Sequence, residues 1–445
     1  MLNLERYNVN IPRYTSYPPV PQWNKNAFSK SDILNKLKSE NKPIKQFSIY
    51  IHLPYCERLC SYCGCFKYIT TNHKLENSYI VALLNEWNLW QVFLDINCEW
   101  KLASMHLGGG TPTFFSAENL KKLISYIVAT VNCDKTEISI EIHPTYTSFK
   151  QLEFLVANGL NRLSIGIQDF SDKILKAINR EQDVTKINQI FKWARHLNIQ
   201  SINVDMVYGL PFQNLDSLQN SLNRLIEFNP DRIAYYGYAH VPWKSKSQRH
   251  FNLKDIPDTS LRYEMVGLIE SFLTENGYEK VGLDHFAKPN DALVKAKKDK
   301  KLVRNFMGYT DYDIDALISL GASSISKINR VYVQNIKNIE QYKESIKKGD
   351  FPWDNWHYLS EQQIKVHNFI VNMLSLGEAD LNLIDWNSDL KRNYINQLQQ
   401  DGLAIILNNK IIKATKLGNR FLRHIAWLAD ENFGLVKHNV YSSSI

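Results

Sequence analysis

Residues 50–67 read YIHLPYCERLCSYCGCFK and hold four of the six cysteines in the chain: Cys56, Cys60, Cys63 and Cys65. The first three are spaced C-x-x-x-C-x-x-C and directly follow the apolar run 47–53, which reads as a buried strand. Three thiols are therefore presented on a short loop at the carboxyl end of a strand. Soft thiolates this close together suit zinc or an iron–sulfur cluster. A structural zinc calls for four closed ligands, commonly as two separated pairs. No second pair is found, because Cys98 and Cys133 are distant and lie in different contexts. Three ligands from one loop leave one iron of a four-iron cluster open, which is what a reactive centre needs. A zinc knuckle or a chance clustering of structural cysteines is the plainer alternative.

From residue 47 onward short apolar runs recur, at 47–53, 103–107, 137–142, 162–167, 201–207 and 232–238. Amphipathic stretches at 76–94, 117–131, 184–197 and 215–228 lie between them. Such alternation predicts parallel βαβ units with right-handed crossovers. A doubly wound sheet and a barrel both satisfy it. Polar residues gather at the carboxyl ends of the runs, the face on which barrel enzymes carry their chemistry, and this favours a barrel.

The first 46 residues include PRYTSYPPVPQW at 12–23, whose prolines forbid a regular helix or central strand. The aromatic content of this leader predicts that it packs on something. Beyond 238 the pattern loosens, with helices expected at 261–276 and 339–348. FPWDNWH at 351–357 reads as a domain seam, and Ser360 with Gln363 makes a capping box for a helix starting near Glu361. Residues 401–415 read as two short strands around an Asn408-Asn409 turn, followed by a helix at 416–428. The division expected is a leader at 1–46, a barrel with extension at 47–350, and a mostly helical, winged-helix-like domain at 351–445. That last domain carries no obvious basic recognition face and reads as a substrate or partner cover.

The 445 residues carry 53 basic and 45 acidic side chains, a net charge of +8, with 44% hydrophobic content. The excess is mild; a solvated surface explains it, and an anionic ligand would also fit. No basic stripe with interleaved aromatics points to nucleic acid. The start of the chain has no apolar signal core, and no apolar run is long enough to span a bilayer. Clustered unpaired thiols predict a reducing, cytoplasmic setting.

Five further features end successive runs or follow them. Gly108-Gly109-Gly110-Thr111-Pro112 lets the backbone approach a ligand and aim its amides at it, although a bare tight turn is the ordinary reading. Glu141 (in SIEIHP), Gln168 (in SIGIQDF) and Asp205 (in NVDMVYGLP) end later runs, and Arg180 follows in NREQD. Each alone passes for a satisfied polar group; their shared face is harder to dismiss.

The thiol loop after a first strand, with Tyr62 just before Cys63 and the glycine run behind it, resembles the radical S-adenosylmethionine superfamily. Cys65 in C-G-C, the PRYTSYP leader, NREQD, YGLP and LDHFAKP narrow this over nearly the whole chain. As a set they resemble the oxygen-independent coproporphyrinogen III oxidase (dehydrogenase) family of haem synthesis. The resemblance implies an α/β fold built on an incomplete, six-stranded (βα)6 barrel. It implies that Cys56, Cys60 and Cys63 hold a [4Fe-4S] cluster and that Cys65 is not a ligand. It implies two molecules of S-adenosylmethionine. Tyr50, Gly109, Glu141 and Ile325 match positions at the first molecule, and Tyr50, Glu141 and Ile325 are the catalytic candidates. Tyr62, Gly110, Thr111, Gln168, Arg180, Asp205 and Ala239 match the second.

The activity implied is oxidative decarboxylation of coproporphyrinogen III to protoporphyrinogen IX through a 5′-deoxyadenosyl radical. An unidentified electron donor and acceptor are implied with it. The protein is expected to be a monomer with no nucleic-acid or membrane partner. In the family the leader lies over the mouth of the active site, which makes Arg13, Tyr14 and Tyr17 lid candidates. Two departures stand out: His143 where the family more often has Asp, and Met307 in RNFMGYTD where it usually has Gln. Met307 removes two donors and an acceptor beside the substrate pocket. A related radical methyltransferase or other tetrapyrrole-modifying enzyme, and a haem chaperone, are the rival readings. Cys65 and the NREQD run count against the chaperone.

Overall fold

The computed structural model describes residues 2–39, 44, 46–312, 314–435 and 440–444. Six strands follow the expected runs: β1 Gln46–Leu53, β2 Lys101–Gly109, β3 Glu137–Ile142, β4 Arg162–Gln168, β5 Ser201–Tyr208 and β6 Arg232–Gly237. All five neighbouring pairs are parallel, and the spatial order is the chain order. A doubly wound sheet reverses its order at a switch point; this one does not, so the barrel-type winding is the one adopted.

The winding does not close. After β6 the sheet adds β7 Glu279–Val281 and β8 His285–Ala287, with β8 pairing antiparallel to β6. On the other side β9 Ala316–Leu320 pairs parallel to β1. An antiparallel meander continues from it through β10 Ile325–Ile328, β11 Val331–Asn335 and β12 Trp353–Tyr358. Among the described residues this is one twelve-stranded sheet. Residues 353–358, where the sequence suggests a seam, form its edge strand, so the chain leaves the sheet only at Leu359.

Strand parity explains what each face does. In β1, Phe47, Ile49, Ile51 and Leu53 are fully buried in the main apolar core together with Ile80, Leu83 and Trp87 of the helix Leu75–Leu94. Ser48, Tyr50 and His52 point the other way, into the barrel interior. A register shift between Phe47 and Ser48 sets Tyr50 opposite His106 of β2. The same alternation puts Ser139 and Glu141, Ser164 and Gly166, and Asn203 and Asp205 on the interior face. Charges at the amino-terminal floor are paired: Arg162 with Glu137 at 3.0 Å and Arg232 with Asp291 at 2.7 Å.

A second apolar core lies in the C-terminal region. It contains the helix Glu361–Leu376, the helix Asp389–Gln400 and a three-stranded sheet with Ile411–Ala414 at its centre. The Ser360–Gln363 capping box forms as expected, and Asn408 and Asn409 both take φ +51 in the hairpin turn. The last helix is shorter than the 416–428 pattern suggests, running Leu422–Trp427 after a tight turn at Gly418–Arg420. The backbone of Leu403 presses on Gly418 there. Tyr7, Ile11, Tyr14 and Tyr17 of the leader belong to this core. The leader is thus packed into the C-terminal unit as a fixed strap.

Glu86 ties the helix Leu75–Leu94 to the turn after β9. Its carboxylate accepts from Gly321 N (2.8 Å), Tyr342 OH (2.6 Å) and Asn335 Nδ2 (2.6 Å), and it is fully buried. Burial pushes its carboxyl from 4.5 up to about 7, against these hydrogen bonds. The unfolded chain therefore ionises first, so this group's contribution to stability falls as pH rises from 4.5 to 7 and stays lost above. The span corresponds to about 3 kcal/mol. Denaturant unfolding of Glu86→Gln at pH 5 and pH 8 should show that part of the pH dependence removed, whatever the variant's absolute stability. An unchanged slope would contradict the assignment.

Candidate active site

The carboxyl ends of β1 to β6 open into a cavity of 730 Å³. Cys56, Cys60 and Cys63 line it, as do Tyr62, Gly109, Gly110, Thr111, Glu141, Gln168, Arg180, Asp205 and Ala239. Residues spread over nearly two hundred positions are brought together because each ends a strand or follows one.

The cysteine loop is held from two sides. Ser61 N donates to Ile178 O (2.9 Å) and Asn179 Nδ2 to Leu59 O (2.8 Å), which docks it on the segment carrying Arg180. Gly110 N donates to Leu53 O and Thr111 N to Tyr55 O, both at 2.9 Å, which pins the glycine loop to the base of the cysteine loop. A Cβ on Gly110 would lie 2.7 Å from the backbone of Pro54, so only glycine fits. The sulfurs receive donors: Thr111 Oγ1 to Cys56 Sγ at 3.4 Å and Arg180 Nη1 to Cys60 Sγ at 3.7 Å. A hydrogen bond with Cys65 holds the Cys63 thiol down to about 6, while burial pushes Cys56 up to about 11. Lys67 Nζ, which the sequence reading passed over, clamps the carbonyls of Cys63 (2.8 Å) and Cys65 (3.3 Å).

Glu141 is organised by two neighbours. Gly109 N donates to it at 3.1 Å, and His106 Nε2 stands 3.2 Å away while His106 Nδ1 meets Ser139 Oγ at 2.8 Å. Burial opposes the charge, but the His106 hydrogen bond and the Gly109 amide hold the carboxyl below its usual range. Only glycine fits at 109, where φ is +109 and a Cβ would lie 2.6 Å from the His52 ring. His52 is kept neutral by burial, which lowers it to about 4. Its Nε2–H donates to Phe66 O (3.0 Å), leaving Nδ1 to accept from Tyr50 OH (3.0 Å). Asp205 accepts from Ser164 Oγ (2.8 Å) and Asn203 Nδ2 (2.9 Å); burial and then the Glu141 charge raise its carboxyl.

Tyr50 and Ile325 do not line the cavity. Tyr50 lies beneath it, its ring 6.0 Å from that of His106 at 21°. Ile325 begins β10, and its carbonyl accepts from Ser319 Oγ (2.5 Å); Ser319 is the strand partner of Tyr50. Of the lid candidates only Arg13 reaches the cavity, while Tyr14 OH donates to Asp430 (2.8 Å) and Tyr17 OH accepts from Glu431 N (3.1 Å). His143 lines the cavity and accepts from Thr145 N at 3.2 Å. Burial and the nearby Arg180 keep it neutral, so a neutral ring stands where a carboxylate would have faced that arginine. His52, His106 and Lys67 are the site residues that the sequence reading missed. For the two histidines the signal was parity: His52 is two residues after Tyr50, and His106 two before Gly108; Lys67 carried no such signal.

Among the described residues no three His, Cys, Asp or Glu side chains converge on one point, as a lone metal ion requires. Cysteines that each take a different iron of a cluster stand further apart, so the thiol triad fits a polynuclear centre. An open barrel with thiols, a glycine loop and a carboxylate over its strand ends defines a protein of the radical S-adenosylmethionine class. The radical SAM superfamily model matches residues 50–225. An oxygen-independent coproporphyrinogen III oxidase of Cereibacter sphaeroides is 36% identical over 84% of this chain and 81% of its own length. One of Pseudomonas aeruginosa is 34% identical over 96% and 94%. The solved coproporphyrinogen III oxidase of Escherichia coli, described as a radical SAM enzyme, superposes with a TM-score of 0.86 at 31% identity, covering 94% of this chain and 97% of that one. This chain belongs to the oxygen-independent coproporphyrinogen III oxidase family. Membership in the superfamily implies a [4Fe-4S] cluster and S-adenosylmethionine.

Proposed function

We propose that this protein is an oxygen-independent coproporphyrinogen III oxidase of haem biosynthesis, converting two propionate side chains of coproporphyrinogen III to vinyl groups. The observation that carries the reading is the joint one: a relation spanning nearly the full chain, and a single cavity holding the three thiols, the glycine loop, Glu141, Arg180 and Asp205. When bound, the cluster and S-adenosylmethionine supply a carbon radical able to take hydrogen from a propionate β-carbon.

Cys56, Cys60 and Cys63 would hold the cluster, and the Thr111 hydroxyl and Arg180 guanidinium would disperse charge on the sulfurs of Cys56 and Cys60. Glu141, which accepts from the Gly109 amide, would offer a fixed negative charge to the first S-adenosylmethionine. Gln168, Arg180 and Asp205, with Tyr62, Gly110, Thr111 and Ala239, line the same cavity and suit a second molecule. Tyr50 acts through His52 and His106, which set Gly109 and Glu141. Ile325 stands behind Tyr50 across Ser319. The strap and the unit from 359 onward cover the barrel and keep water from the reacting carbon. Each decarboxylation releases carbon dioxide and leaves one electron for an acceptor, and the chemistry calls for a separate electron donor. We read the protein as a cytoplasmic monomer, in keeping with the reducing setting that clustered unpaired thiols need.

Anaerobic incubation with dithionite, S-adenosylmethionine and coproporphyrinogen III tests the function. The expected product has lost two carboxyl groups by mass spectrometry. Gain of a methyl group instead, or tight haem binding without cofactor cleavage, would refute it in favour of a relative's chemistry.

A further inference from the structure

A second cavity, of 280 Å³, adjoins the first and shares Arg13, Tyr236 and Gly237 as walls. It is lined by Arg13, Arg262, Arg304 and Arg423, from four distant parts of the chain. Arg13 Nη2 donates to Gly237 O (2.8 Å), Arg262 Nη2 to Tyr238 O (3.0 Å), and Arg423 Nη2 to Ile11 O (2.8 Å). These are all backbone acceptors. Among the described residues no carboxylate lies within 4.0 Å of Arg13, Arg262 or Arg423; Arg304 alone has one, Asp284 at 3.6 Å. Two further cations at this cavity, Lys280 and Arg420, both pair with the one carboxylate of Glu270, which leaves that trio with a net charge of +1. Buried Nε groups of Arg13, Arg262 and Arg304 have no hydrogen-bond partner.

The contrast with the barrel floor decides the reading, because there each buried arginine meets a carboxylate. A buried guanidinium without a counter-ion is costly, and removing the cost takes an anion. Burial and the charge of Arg13 already lower Arg423 to about 9. The volume is too small for a tetrapyrrole ring and sufficient for carboxylate side chains. A larger cavity of 1060 Å³ shares Thr15 and Arg304 with it, so both neighbours reach it along the strap.

We propose that this arginine pocket holds carboxylates of the substrate that the reaction leaves untouched, and so fixes which propionate faces the radical site. The inference rests on the function proposed above. Planar guanidinium groups suit such bidentate, specific recognition better than lysines would.

The test uses the full-length holoprotein and two ligands, coproporphyrin III and its uncharged tetramethyl ester, followed by fluorescence titration. The tetracarboxylate should bind the unmodified protein and the ester should not. Arg262→Gln and Arg304→Gln should each weaken coproporphyrin binding about tenfold or more and raise KM for coproporphyrinogen similarly. They should also release once-decarboxylated, three-carboxylate intermediate. Arg262→Lys, which keeps the charge and loses the fork, should recover part of the affinity, whereas a merely structural arginine would show no such link to ligand charge. Equal binding of the ester, or affinities within twofold for Gln variants that melt like the parent, overturns the pocket assignment while the function stands. An unmodified holoprotein that turns over no coproporphyrinogen fails the function itself and takes this inference with it.

Discussion

Replacement of Cys60 by serine should abolish the brown iron–sulfur absorption and all turnover. Cys60 is the middle member of the triad, and Arg180 Nη1 approaches its sulfur. A serine oxygen is hard and stays protonated near neutrality, whereas cluster iron prefers soft thiolate. With three protein ligands and one open iron there is no spare donor, so losing one should leave too few to assemble the centre. Anaerobic reconstitution followed by absorption spectroscopy and iron analysis checks it; retention of iron and activity together would refute the cluster assignment. Cys65→Ser is expected to be milder. Its thiol bonds Cys63 from an exposed position, so it shapes the loop, and an equal loss of iron would show it to be a ligand after all.

Glu141→Gln should lower kcat/KM on the order of a hundredfold while leaving the cluster in place, because it removes a preorganised charge and keeps the shape. The amide still accepts from Gly109, so the glycine loop need not move. What disappears is the negative charge that His106 and the Gly109 amide sustain inside the cavity. S-adenosylmethionine carries a sulfonium and an amino group, and its affinity should weaken together with turnover. Binding of S-adenosylmethionine to the reconstituted protein separates this from a folding defect. Unchanged affinity and rate would remove Glu141 from the cofactor site.

Several features were legible because they are local. Six apolar runs became six of the seven parallel strands of the main sheet, since a buried strand needs only five or so residues of the right pattern. The capping box at Ser360 and the Asn408-Asn409 turn depend on three- and two-residue chemistry and both appear. The cysteine spacing is also local, and all three thiols line one cavity. By contrast Tyr50 and Ile325, matched through resemblance, stand behind the cavity wall, where a position in a motif says nothing about which way the side chain faces. Tyr14 and Tyr17 look like lid residues in sequence but serve as core of the C-terminal unit. Aromatic and proline content shows only that a segment packs, not against what.

The chain's one-dimensional pattern alone determined the alternating strands, the thiol loop, the glycine loop and the class of chemistry they support. Tertiary structure alone decided that the winding stays open and is extended on both sides. It also decided that His106 meets Glu141 through interstrand register, and that Arg13, Arg262, Arg304 and Arg423 share a pocket in which, among the described residues, Arg304 alone has a carboxylate within 4.0 Å, that of Asp284. The physical reason is range. Periodicity and loop spacing act over a few residues, whereas which side chains face one another across hundreds of positions is set by how strands register and cores pack.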